Sequence, residues 1–167
     1  MHDSAKEGHE RLLGDKFVDW YNQRERTSFG FERRGDDPPD LIYRAGPSQL
    51  LLEITEAYPD NRFAEGFWSI IRPRTQAPRF ASTRDPHGDL VRRINDALEK
   101  KGQMRLPEGC ILVVFLNHPL PREELDCLLP SIVVSKYGNG PIYLGGWSMG
   151  ELWWYQLTAP VGPHTVE

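Results

Sequence analysis

Cysteine, long apolar runs and positive net charge are all scarce in this chain, and each scarcity closes off a class of function. Only two cysteines occur among 167 residues. Cys110 and Cys127 lack zinc-site spacing and are too few for a disulfide framework, so they read as reduced, buried thiols. No apolar run approaches the roughly 20 residues a membrane-spanning helix needs. The first ten residues, MHDSAKEGHE, are polar and open no apolar h-region. A secretory signal is therefore not expected, and a cytoplasmic setting is. The formal charge is −4, which removes any global basic signature for nucleic acid and leaves room only for a local patch. The five histidines show no close metal-ligand spacing. Ser148 has no partners in a matching triad order, which argues against a serine hydrolase. No repeat or low-complexity segment is evident, and the length suits one domain, residues 1–167, with a sizeable core.

What the chain does have is concentrated between Gly35 and Glu56, GDDPPDLIYRAGPSQLLLEITE. This reads as two short strands joined at Gly46-Pro47. Asp40 follows Pro39 and opens the apolar run Leu41-Ile42-Tyr43. Glu53 closes Leu50-Leu51-Leu52, with Thr55 two residues on. A carboxylate at the end of an apolar strand is costly to bury unless something pairs with it. Two that converge from adjacent strands suggest a divalent cation. Asp36 and Asp37 are alternative ligands, although aspartate also suits such a turn by bonding its own backbone.

Around this hairpin the chain reads as a simple series. Ser4 and Glu7 form a capping-box pattern. The helix after them carries Glu10, Leu13, Phe17, Trp20 and Tyr21 on one stripe and ends near Gln23 to Arg26. Ser28 to Arg33 alternates as a first strand. Asn61 to Ile71 is predicted helical, and Arg72 to His87 irregular. Asp89 to Lys101 is a helix with Leu90, Ile94, Ala97 and Leu98 inward, and Lys101 continues that face. Ile111 to Leu116 is a strand buried on both faces. Pro121 to Lys136 starts helical and is bent or ended by Pro130. Ile142 to Leu144 and Glu151 to Leu157 form a closing hairpin around Gly145 to Gly150, and Trp147, Trp153, Trp154 and Tyr155 read as packing residues.

The Pro39-Asp40 pair, the Glu53-Ile54-Thr55 run and this order of elements resemble the PD-(D/E)xK, or restriction-endonuclease-like, phosphodiesterase superfamily. The resemblance spans about Ser4 to Thr158. It implies an α/β fold with a central mixed sheet of about five to six strands flanked by helices. It also implies a metal-dependent nuclease that hydrolyses phosphodiester bonds of DNA or RNA. Asp40 and Glu53 would then be ligands of Mg2+ or Mn2+, with the Ile54 carbonyl adding a third oxygen. The departure is Thr55, which stands where that family has lysine. A hydroxyl carries no charge at neutral pH, so Thr55 can orient water or bond a phosphate oxygen but cannot supply the cation.

Lys101 is the candidate replacement, because it extends the inner face of its helix. The alternative is a lysine snorkelling at a helix C-terminus, where a cation is favoured anyway. Glu10 is either the helical acid such proteins bring to the site or a solvated acid in a first turn. Arg72, Arg74, Arg79, Arg84, Arg92 and Arg93 form an arginine-rich stretch that either binds phosphates or is merely solvated. Two further functional readings stay open: an inactive fold of the same type that binds nucleic acid or protein, and a small antiparallel-sheet protein with Asp40 and Glu53 exposed. No membrane partner is expected, and a homodimer is left open.

Overall fold

The computed structural model describes residues 3–36, 38–57, 85–117, 120, 122–134 and 140–157. Six strands form one mixed sheet in sequential order. They are β1 (Gly30–Arg34), β2 (Leu41–Ala45), β3 (Ser48–Ala57), β4 (Ile111–Leu116), β5 (Ile142–Ser148) and β6 (Glu151–Gln156). β1, β2 and β3 pair antiparallel, β3, β4 and β5 pair parallel, and β5 and β6 close antiparallel. Helix α1 (Asp3–Glu25) covers one face. Helix α2 (Pro86–Gly102) and the short α3 (Leu125–Leu128), which has a 3-10 turn on either side, cover the other. The protein is therefore α/β, with an open mixed sheet between helices. The parallel centre excludes the small all-antiparallel sheet.

The sequence explains each element that positions the site. α2 begins at Asp85, whose side chain accepts from the Gly88 amide at 2.9 Å and so satisfies one orphan donor of the first turn. Leu90, Ile94 and Leu98 recur along one stripe and are fully buried. That seats the helix on β3 and β4 and leaves Lys100 and Lys101 in its last turn, where cations are favoured. β4 is apolar at every position because both of its faces are covered. On α1, Leu13, Phe17 and Val18 are buried against β2, β3 and β5. The helix comes close because Gly14 has no side chain: a Cβ there would lie 2.7 Å from the Tyr43 hydroxyl.

Several boundaries differ from the sequence reading. α1 already includes Ser4, one residue past its first, so Ser4 does not open it. The predicted helix Asn61 to Ile71 lies outside the described residues. β5 runs on through Gly145 and Gly146 to Ser148, where glycines suggested a loop. The reason is across the strand. The Trp154 ring lies on Gly145 and the Trp153 ring on Gly146, where any Cβ would collide. The missing side chains make room for indoles, not for a bend. Cys127 is exposed rather than buried, whereas Cys110 is buried.

Candidate active site

β2 begins with Leu41 opposite Leu52, so β3 continues past the start of β2 from Glu53 to Ala57. β4 pairs with that continuation on one side, and the other side opens into a notch between α1 and α2. Asp40, one residue before β2, sits at the head of this notch. Its Oδ2 accepts a 2.8 Å hydrogen bond from the Ile54 amide. In a strand, a residue's N–H and C=O point to the same side, so the Ile54 carbonyl faces the notch as well. The loop that delivers Asp40 is closed by the Gly35 amide, which donates to the Asp40 carbonyl at 2.9 Å. Only glycine fits there, because a Cβ would run into the Pro39 carbonyl.

Glu53 faces α2, on the same side of β3 as Thr55. It is completely buried, and its Oε1 is ion-paired with the Lys101 ammonium. Its Oε2 is buried without a hydrogen-bond partner among the described residues. Glu10 is also buried, held by Lys6 at 3.2 Å and by Arg34 at 3.1 Å. The acids feel one another. Burial, with the charges of Glu53 and then Glu10 nearby, pushes the Asp40 carboxyl up to about 6; the Ile54 hydrogen bond and Lys101 pull the other way. The notch is a cleft of about 240 Å3 lined by Lys6, Glu10, Ile54, Thr55, Glu56, Lys100 and Lys101.

The fold thus brings Asp40, Glu53, Ile54, Thr55, Glu10 and Lys101 to one place. Lys101 does not snorkel into solvent, and Glu10 is not a solvated acid. Both acids of the hairpin are withdrawn from the polar surface that the third reading required. Arg92 lies on α2 away from the cleft, exposed and paired with Asp89 at 2.8 Å. Arg93 keeps a buried Nε with no hydrogen-bond partner among the described residues. Arg72, Arg74, Arg79 and Arg84 lie outside the described residues. Asp36 is exposed at the protein surface near Arg33 and takes no part in the cleft; Asp37 is outside the described residues.

Sequence reasoning missed Lys6 and Arg34, the partners of Glu10; Lys100, a less favoured candidate because it points away from the inner stripe, lines the cleft. Lys6 was findable, since it stands four residues before Glu10 on one helix. Arg34 reaches Glu10 only through the packing of β1 beside α1 and left no sequence signal. A second polar chain lies nearby. On the other face of β3, Glu56 is bonded by the Asn117 amide and lies 3.4 Å from His9 Nε2. Gly146-Trp147-Ser148-Met149-Gly150 does spell G-x-S-x-G, but Ser148 ends β5 and pairs with Glu151 across a hairpin turn. A nucleophile elbow needs a strand-to-helix turn, so Ser148 is not one.

An all-oxygen donor set of two carboxylates and a carbonyl suits a hard divalent cation, which keeps several waters of its own. Two observations fit such an ion: a Glu53 Oε2 with no hydrogen-bond partner among the described residues, and an Asp40 carboxyl raised first by burial and then by neighbouring negative charge. Among the described residues no cluster of three or more His, Cys, Asp or Glu side chains is arranged to hold a metal. The third protein oxygen would therefore have to come from the backbone. No described helix is long and apolar enough to cross a membrane. No family model, curated protein or solved structure matches the chain.

Proposed function

We propose that this protein is a metal-dependent phosphodiesterase that hydrolyses nucleic acid, built on a restriction-endonuclease-like core. The observation that carries the reading is the ion pair between Lys101 of α2 and Glu53 of β3. It supplies a cation on the face of β3 where Thr55 leaves none. Asp40, Glu53 and the Ile54 carbonyl are the residues that would hold Mg2+ or Mn2+. Such an ion polarises a phosphoryl oxygen and lowers the pKa of bound water.

The chain's own groups do the rest. Lys101 offers positive charge to the phosphate as negative charge builds in the transition state. The Thr55 hydroxyl, on the same face, orients a water or a phosphate oxygen. Lys6 and Lys100 stand at the cleft rim, where a nucleic-acid backbone would meet them. Glu10, clamped by Lys6 and Arg34, is held close enough for its charge to act on Asp40.

The test combines cleavage and metal binding. Single- and double-stranded DNA and RNA are incubated with Mn2+ or Mg2+ and with wild type, Asp40→Asn or Lys101→Ala. Wild type should cut at least one of these. Asp40→Asn should abolish cleavage and the rise in melting temperature caused by Mn2+, because an ion bound only to the folded state stabilises it by mass action. Lys101→Ala should lose most turnover and keep the Mn2+ response, since it removes charge stabilisation and not a ligand. A Mn2+ response without cleavage of any substrate would favour the inactive, binding form of the fold. Cleavage that survives Asp40→Asn would remove this cleft from the chemistry.

A further inference from the structure

A second cavity adjoins the cleft, and the phosphodiesterase reading does not use it. It is an apolar groove of about 310 Å3, a size suited to a small ligand group. One wall is the α1 face carrying His9, Leu12, Leu13 and Lys16; the other is formed by Phe115, Asn117, Trp147, Gly150 and Leu152. Leu12, Trp147 and Leu152 are 55%, 41% and 39% exposed, so a large indole and two leucines are open to solvent. Large exposed apolar side chains that cluster in a concavity mark a binding surface.

Three relations say what fits it. First, the groove and the acidic cleft are linked by the His9–Glu56 contact: Glu56 lines the cleft, and His9 lines the groove. A ligand that spans both must place a charged part in one and a flat apolar part in the other. Second, among the described residues the polar groups lining the groove are Lys16, the His9 ring and the Asn117 amide, with no carboxylate, a lining that suits a neutral hydrogen-bonding ring beside an anion. Third, Asn117 and Trp147 lie at the carboxyl ends of the parallel strands β4 and β5, where ligands of open α/β sheets bind.

The geometry points to a subsite for one unpaired nucleobase, stacked on Trp147, of the same strand whose phosphate lies in the acidic cleft. Single strands, or ends and loops that expose bases, are then the substrate class; a closed duplex keeps its bases stacked inside and cannot fill the groove. This rests on the phosphodiesterase reading, and its test is a binding measurement that needs no turnover.

Asp40→Asn protein is titrated with labelled eight-nucleotide single strands of DNA and RNA, the blunt duplex, and an abasic strand of equal charge. Trp147→Ala and Trp147→Phe are added in that background. The single strand should bind at least about tenfold more tightly than the duplex or the abasic strand. Trp147→Ala should weaken it roughly five- to 100-fold, the range for loss of one stacked base, and Trp147→Phe should retain most of the affinity. Equal binding of normal and abasic strands overturns the subsite, as does equal binding by Trp147→Ala and its parent. So does an absence of measurable binding. Failure of wild type to cleave anything, with the Trp147 effect intact, would sink the phosphodiesterase reading alone.

Discussion

Lys101 and Glu53 form an ion pair although they stand 48 positions apart in the chain, and the Glu53 carboxylate is fully buried. Each end is supplied by a different rule. Glu53 is fixed by the register of β3 with β4, and Lys101 by the apolar stripe that seats α2. The site therefore depends on how one helix crosses one strand.

Removing one partner of that pair strands a charge. Lys101→Met should cost about 3 kcal/mol of stability, because it leaves the buried Glu53 carboxylate uncompensated. Adding Glu53→Gln to Lys101→Met should recover most of the loss, since both charges are then gone. Urea unfolding of the two single variants and the double variant measures this. Additive losses would mean that the two groups are not coupled.

Asp40 makes stability depend on pH. Its carboxyl is raised from the ordinary 3.8 to about 6 in the folded state, so between those values the folded protein binds more protons than the unfolded chain. Stability should therefore fall as pH rises from about 4 to about 6 and remain lower above that, by on the order of 3 kcal/mol from this group. Asp40→Asn should flatten that part of the profile and raise stability at pH 8. Metal binding should show the opposite trend and strengthen as pH rises through about 6, because a cation competes with the proton. Melting curves from pH 4 to 8, with and without Mn2+, test both. An unchanged profile in Asp40→Asn would show that Asp40 is not the group responsible.

Gly35 should matter more than its surface position suggests. Gly35→Ala must push the loop off the Pro39 carbonyl and displace Asp40 from the Ile54 amide. A loss of about 1 to 3 kcal/mol is expected, together with a weaker Mn2+ response. Gly8→Ala, on an open stretch of α1 where a Cβ meets nothing, is the control and should be neutral or stabilising. A Gly35→Ala protein with the full Mn2+ response would show that the loop tolerates the change.

Much of this was legible because it is local. The two apolar runs on either side of Gly46-Pro47 give the hairpin. The Leu90, Ile94, Leu98 spacing gives α2, and the unbroken run from Ile111 to Leu116 gives β4 at its observed bounds. Asp40 and Glu53 stand out as acids against apolar runs. The rest is decided across the chain. Whether Lys101 turned inward depended on where α2 crosses β3. Gly145 and Gly146 looked like loop residues because the indoles that cover them come from another strand. Trp147 looked like core for the same reason: its exposure follows from where α1 passes the end of β5, and local spacing carries no record of that.

The hydrogen bond from the Ile54 amide to Asp40 has a consequence outside catalysis. Where β2 stops short, no described strand pairs with β3 on that side, and bare edges invite a strand from another molecule. Asp40 occupies the first exposed donor and sets a negative charge beside it, so an incoming chain meets a blocked and repellent rim. The same carboxylate that offers oxygen to a cation thus guards the sheet against self-association. Variants that lose it have to be watched for aggregation as closely as for lost activity.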